Sequence, residues 1–243
     1  MVKTTVDVSI VIPLKDEAEN IEPLFQELKS VLDHQSWSWE VIWVDDGSED
    51  QSLALIEELP SIDSRHRYLS FEKNAGQSAA LWAGFQTSRG RVITTIDGDA
   101  QNDPADIPRF VEMVLDDRAD MVNGYRVKRK DNLVRKMASR IANGFRNWTT
   151  GRTVRDVGCS TRAFKRECVN NLPLYKGMHR FLPTLVAMQG FSLAEIPANH
   201  RPRLKGKTKY TINNRLWVGL WDIFGVMWLK KRGFQYKIGK RSE

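Results

Sequence analysis

Two kinds of hydrophobic run alternate along the first half of the chain. Val6 to Leu14 and Trp39 to Val44 are short, almost continuously apolar and rich in β-branched residues, the pattern of strands covered on both faces. Between them Ile21, Leu24, Phe25, Leu28, Val31 and Leu32 recur at helical spacing. Asp45-Asp-Gly-Ser48 reads as a turn with Ser48 as a helix cap, and Leu53, Ile56 and Leu59 line the helix beyond, which Pro60 should end. Tyr68 to Phe71 predicts a short strand, Asn74 to Phe85 a small-residue helix, and Val92 to Ile96 a further strand. Pro104 and Pro108 flank the start of a helix carrying Phe110, Met113, Val114 and Leu115, and Asp120 to Asn123 predicts the next strand.

The pattern loosens after Tyr125. It predicts a basic segment, a helix near 133–148, a short strand or loop around Asp156 to Phe164, a helix from His179 to Met188 and a strand from Ser192 to Ile196. A basic loop, Arg201 to Tyr210, leads into the apolar run Leu216 to Leu229. That run is 14 residues long and contains Asp222. A membrane-spanning helix needs about 20 residues, so the run is expected to lie in an interface plane instead. Strands and helices alternating in this way imply right-handed crossovers and a mainly parallel sheet, with ligands beyond the carboxyl ends of its strands.

With 243 residues the chain is long enough for one large α/β domain plus an appended element, and no repeat or low-complexity tract interrupts it. Charge is divided sharply. Residues 1–120 hold 10 Lys/Arg against 24 Asp/Glu, and residues 121–243 hold 27 against 6, so the halves carry −14 and +21. Carboxylate-based metal chemistry suits the first half and an anionic partner the second. Cys159 and Cys168 have neither the density of a disulfide scaffold nor zinc-site spacing, which points to a reducing compartment. The first residues lack the long apolar region of a signal peptide, so no export is expected.

Three acidic loops follow predicted strands: Asp16-Glu17, Asp45-Asp46 and Asp97-Gly98-Asp99. Carboxylates there can accept ribose or base hydrogen bonds, and two near a diphosphate can hold a hard divalent cation. Gly98 would let the chain approach the ligand. If the backbone stays extended, Asp97 and Asp99 share one face, and Gln101 repeats the spacing with a neutral oxygen. Neither Gly-x-x-x-x-Gly-Lys-Ser/Thr nor a Gly-x-Gly-x-x-Gly after the first strand is present. Asn74-Ala-Gly-Gln-Ser78 is a candidate for backbone approach to a nucleotide, with Lys73 near the phosphates; helix capping is the alternative.

Val11-Ile-Pro-Leu-Lys-Asp-Glu-Ala-Glu-Asn-Ile21, Val44-Asp-Asp-Gly-Ser48, Lys73-Asn-Ala-Gly76 and Asp97-Gly-Asp-Ala-Gln101 together resemble glycosyltransferase family 2. The closer likeness is to the polyprenyl-phosphate glycosyltransferases, which include dolichol-phosphate mannose synthases and undecaprenyl-phosphate sugar transferases. The resemblance implies an α/β GT-A (Rossmann-like) fold, its mainly parallel sheet flanked by helices, and a nucleoside-diphosphate sugar as donor. By motif position Pro13, Glu17 and Asp46 would hold the nucleoside, with Asp45 supporting the loop and Leu14 in the same pocket wall. Lys73, Gly76 and Gly98 complete the donor side. Asp97 would lie against the sugar-diphosphate, while Asp99 and Gln101 would bind Mg2+ or Mn2+. The family commonly has Asp-Ala-Asp-Leu-Gln where this chain has Asp-Gly-Asp-Ala-Gln, and all three oxygen-bearing residues are kept.

Arg155-Asp-Val-Gly-Cys-Ser-Thr-Arg-Ala-Phe164 resembles the family's acceptor-side stretch, making Asp156 the candidate to orient the acceptor or act as base. A buried salt bridge from Asp156 to Arg162 is the structural alternative. An acceptor phosphate is already anionic near neutral pH, so a strong base is unnecessary. Arg126 follows Asn123-Gly-Tyr125 like the arginine of the family's Gly-x-Arg segment and is the foremost acceptor-phosphate candidate. Lys128, Arg129, Lys130, Arg135, Lys136 and Arg140 extend the basic cluster. His179 and Arg180 match a position near the acceptor, and Arg203, Gly206, Thr208 and Lys209 match the family's mobile loop, which would exclude water.

Trp217, Trp221, Phe224 and Trp228 fall on one helical stripe closed by Lys230-Lys-Arg232, a composition suited to an anionic bilayer surface; a core helix is the alternative. Many undecaprenyl-phosphate relatives continue into two transmembrane helices beyond this point. The expected organisation is a catalytic domain over 1–210, with a nucleotide-sugar half at 1–124 and an acceptor half at 125–210, then an amphipathic helix and basic tail at 211–243. The expected activity is inverting transfer of one sugar from a UDP- or GDP-linked donor to a polyprenyl phosphate. It would take place at the cytoplasmic membrane face, with peripheral attachment, a membrane-protein partner or a homo-oligomer. The rivals are a family 2 enzyme acting on a soluble, polysaccharide or protein acceptor, a nucleic-acid binder using the basic half, and a catalytically silent scaffold. No nucleic-acid partner is expected, since no reading element is recognisable.

Overall fold

The computed structural model describes residues 6–126, 154–202 and 212–232, with side chains in the last segment described from Trp221 onward. Among these residues the chain runs β1 (Val6–Leu14), α1 (Ala18–Leu32), β2 (Trp39–Asp45), α2 (Ser52–Ile62), β3 (His66–Ser70), α3 (Gln77–Thr87) and β4 (Gly90–Thr95). It continues through α4 (Ile107–Leu115), β5 (Met121–Arg126), β6 (Arg162–Lys165), α5 (Leu182–Met188), β7 (Leu193–Ala198) and α6 (Ile212–Arg232). The described strands form one sheet in the order β3-β2-β1-β4-β6-β5-β7. All neighbours pair in parallel except β6, which is antiparallel to both β4 and β5. The sheet is therefore mainly parallel, as expected. The helix expected near 133–148 lies outside the described residues.

Alternation along β1 explains why its sequence is apolar throughout. Val8, Ile10 and Ile12 face one core layer with Ile21, Leu24, Phe25 and Leu28 of α1, while Val11 faces the other with Leu81 and Phe85 of α3. Helix α1 has no side-chain N-cap hydrogen bond, a loss of about 1 kcal/mol. Each of its five buried apolar side chains, Leu32 included, contributes about 1.5–3 kcal/mol, so packing decides. On the α3 side the helix lies so close that a Cβ on Gly84 would sit 2.3 Å from Val11 Cγ1.

Several element boundaries differ from expectation. Helix α2 runs past Pro60 to Ile62 because a proline in the final turn removes little, and Asp63 N still donates to Leu59 O at 2.9 Å. Ser48 does not cap α2, whose N-cap position is Gln51. Its hydroxyl donates to Asp45 Oδ1 and accepts from Asp16 N at 2.8 Å. Strand β3 starts at His66, a residue that reads as polar but is buried against the Phe25, Trp39 and Trp43 rings. The helix expected from His179 begins at Leu182, after a short 3-10 turn over Met178–Arg180.

Candidate active site

Chain order reverses between β1 and β4: from β1 the path leads outward through β2 to β3, then returns to β4 on the other side. Ligands bind at such a switch point, beyond the strand ends. Register places Leu14 beside Asp45 and Val11 beside Thr95. Gly98 N donates to Pro13 O at 3.2 Å, and a Cβ on Gly98 would meet Leu14 Cβ at 2.8 Å. The close approach of two strand ends by itself requires glycine here.

The acidic loops divide into structural and open groups. Asp45 is buried, and its carboxylate accepts from Ser48 N and Ser70 Oγ, closing its own turn. Asp46 accepts from Asn74 Nδ2 at 3.0 Å, Ala75 N at 2.7 Å and Gly76 N at 2.9 Å. It therefore anchors the Asn74–Gly76 loop that precedes α3. Gly76 has φ +93, a left-handed conformation that favours glycine, and space for a Cβ beside it is open. Glu17 is nearly buried and accepts from Asn20 Nδ2 at 2.7 Å. Lys73 is exposed on the rim of a depression of about 560 Å³, also lined by Lys15, Gly47, Glu49 and Phe71, which includes neither Asp97 nor Asp99.

After β4 the chain turns at Gly98–Asp99 instead of staying extended, so the shared-face argument does not apply. Ala100 has φ +57, an uncommon conformation for a residue with a side chain. The turn lets Asp99 Oδ1 accept from Gln101 N at 3.2 Å. Asp97 is half-buried and accepts from Gln77 Nε2 at 2.9 Å, while its backbone N donates to Asn102 Oδ1 at 2.9 Å. Burial, with a smaller contribution from the Asp99 charge, pushes the Asp97 carboxyl up to about 6.

Asp99 and Gln101 offer hard oxygen donors, the chemistry that Mg2+ and Mn2+ take. Among the described residues no group of three or more His, Cys, Asp or Glu side chains is assembled for a metal. The residues fit a cation that draws its remaining ligands from a bound diphosphate and water, the usual habit of Mg2+.

Across β6 lies the basic side. Arg126 Nε donates to Asp156 Oδ2 at 2.7 Å and Arg126 Nη2 to Oδ1 at 2.9 Å, a forked ion pair. Asp156 thus pairs with Arg126, not with Arg162. His179 Nδ1 and Ser78 Oγ are hydrogen-bonded at 2.8 Å, which ties this side to α3 one residue past Gln77. Arg180 turns toward α6, 3.6 Å from Asp222. Arg140, Arg203 and Lys209 lie outside the described residues. Sequence reading missed Gln77, Asn102, Asn123 and Arg201, amides and a cation whose partners are far along the chain. Arg201 donates to Glu27 and Asp103 and bonds through its backbone to Gln101.

Helix α6 buries Ile223 and Val226 in the α3-side core. Trp221, Phe224 and Trp228 are 75%, 54% and 64% exposed, so the described part of the aromatic stripe faces outward. No helix among the described residues is long and apolar enough to cross a membrane.

A mainly parallel sheet with carboxylates gathered at its switch point is the α/β architecture of the GT-A glycosyltransferases. Solved structures agree: glucosyl-3-phosphoglycerate synthase from Mycobacterium tuberculosis, in complex with Mn2+, UDP-glucose and phosphoglyceric acid, aligns with TM-score 0.65 at 19% identity. That alignment covers 93% of this chain and 80% of that one. The chain belongs to glycosyl transferase family 2, whose model matches residues 9–172. It is 34% identical over 231 residues to the dodecaprenyl-phosphate galacturonate synthase of Rhizobium johnstonii, covering 93% of this chain and 68% of the relative. It is 36% identical over 205 residues to the undecaprenyl-phosphate 4-deoxy-4-formamido-L-arabinose transferase of Salmonella choleraesuis, covering 84% of this chain and 62% of the relative.

Proposed function

We propose that this chain transfers a sugar, with inversion, from a UDP- or GDP-linked donor to a polyprenyl phosphate at the inner face of the cell membrane. The observation that carries the reading is one sheet end holding an acidic turn, Asp97 to Gln101, and the guanidinium of Arg126 held in a fork by Asp156. Relatives named for dodecaprenyl- and undecaprenyl-phosphate acceptors support the choice of lipid.

In this reading the Pro13–Glu17 and Asp45–Asp46 loops, with Lys73 and Gly76, form the donor pocket. Asp46 acts there by fixing the Asn74–Gly76 backbone. Asp97, oriented by Gln77 and Asn102, faces the sugar-diphosphate. Asp99 and Gln101 would hold Mg2+ or Mn2+, which would neutralise charge on the departing diphosphate. Arg126 receives the acceptor phosphate, and Asp156 holds the guanidinium in place. An oxygen of that phosphate attacks the anomeric carbon as the bond from that carbon to the diphosphate breaks, and no proton need be removed first. Residues 1–210 form the catalytic domain and 211–243 the interface element. There Trp221, Phe224 and Trp228 enter the headgroup region, and Lys230, Lys231 and Arg232 meet anionic lipid.

A thermal-shift panel of UDP- and GDP-sugars with and without Mn2+ tests the donor half. One nucleotide series should raise the melting temperature only when metal is present, and Asp99→Ala should abolish that dependence. No response from either series would contradict the reading.

A further inference from the structure

Arg162 lies on β6, the one antiparallel strand of the described sheet, and is 4% exposed. Its guanidinium makes three hydrogen bonds, each to a different segment. Nε donates to Asn123 Oδ1 on β5 at 2.9 Å, Nη2 to Val157 O at 2.7 Å, and Nη1 to His179 O at 2.9 Å. None of these acceptors is a carboxylate. Burying an arginine against neutral oxygens is costly unless the fork meets fixed partners.

The three segments are those that carry the acceptor side. Asn123 lies three residues before Arg126 on the same strand, and its Nδ2 donates to Asp156 O at 3.0 Å. Val157 follows Asp156 directly. His179 bonds Ser78 on α3 and precedes Arg180. Other structural work near the strand ends is carried by different groups: Asn102 joins the Asp97 turn to Thr161 and Ser160, and Thr94 Oγ1 reaches Arg162 only through its carbonyl.

We propose that Arg162 is a positioning residue for the acceptor, a single fork that sets Arg126, Asp156 and His179 at fixed separations without itself touching substrate. The proposal rests on the reading of those three residues as the acceptor-phosphate side. A lysine at position 162 keeps the charge but offers one nitrogen in place of a planar fork and cannot reach all three oxygens.

The test compares wild type, Arg162→Lys and Asn123→Ala in steady-state transfer to undecaprenyl phosphate in detergent, together with melting temperature and UDP and GDP binding in Mn2+. Arg162→Lys should raise the acceptor KM roughly tenfold or more, and Asn123→Ala by a smaller factor, as expected for loss of one or two buried charge-assisted bonds. Nucleotide affinity should stay within about twofold, because no arm of the fork reaches the Asp97–Gln101 turn. An unchanged acceptor KM in Arg162→Lys, or an equal loss of nucleotide affinity and acceptor affinity, overturns the proposal. If Arg162→Lys does not fold, Asn123→Ala decides by the same two readings. A wild-type protein without activity on or affinity for undecaprenyl phosphate contradicts the functional reading instead, which keeps the two failures distinguishable.

Discussion

His66 shows how a polar residue type can hide a core position. Trp43 Nε1 donates to its Nδ1 at 3.0 Å, so the neutral ring carries its proton on Nε2, which is buried without a hydrogen-bond partner among the described residues. Burial depresses its pKa from 6.5 to about 4. The folded state therefore resists protonation that the unfolded chain accepts. Stability is fully present above pH 6.5 and is lost as pH falls toward 4, by about 3 kcal/mol over that window. Urea unfolding at pH 7, 5.5 and 4.5 should show this slope, and His66→Phe should flatten it; an unchanged slope would refute the assignment. At the Asp97 turn, Asp99→Ala should lower turnover by about 100-fold or more while leaving the melting temperature of the free protein nearly unchanged. An equal loss of both would mean that Asp99 is structural. The carboxylates were legible because charge at the end of an apolar run is conspicuous. Gln77, Asn102 and Asn123 were not, since each has a partner 20 or more residues away and nothing local marks them, and Arg162 was read only as an alternative partner for Asp156.

Among the elements, strands covered on both faces and helices with a clear apolar stripe were readable, because local periodicity reports burial directly. Strand β6 was not. It has four residues, includes Arg162 and Lys165, and exists because β4 and β5 both need a neighbour. The closeness of α3 to β1 was equally invisible, although its consequence is definite. Gly84→Ala would force Val11 aside in a packed layer, costing about 1–3 kcal/mol. Thermal or urea unfolding should find that loss, whereas Gly225→Ala, with nothing within 4 Å, should be neutral or slightly stabilising. Indistinguishable effects at the two glycines would argue against close α3–β1 packing.

For the whole molecule, the −14 and +21 division of charge was readable at once, but its meaning depended on the fold. Crossovers carry the Asp16–Glu17, Asp45–Asp46 and Asp97–Asp99 loops to one sheet end, and β5 returns Arg126 to the same end. The outward aromatic stripe of α6 gives the molecule a side suited to lipid. Co-flotation should be strong with vesicles containing phosphatidylglycerol, weaker with phosphatidylcholine alone, and reduced at least several-fold by joint substitution of Trp221, Phe224 and Trp228 with serine. Binding indifferent to all three changes would remove this surface from the account. The acceptor is tested most directly by supplying labelled UDP- and GDP-sugars with Mn2+ and either undecaprenyl phosphate or soluble acceptors, then counting label in the organic phase. The account predicts a lipid-linked sugar from at least one donor, absent in Asp99→Ala. Transfer only to soluble acceptors would contradict it.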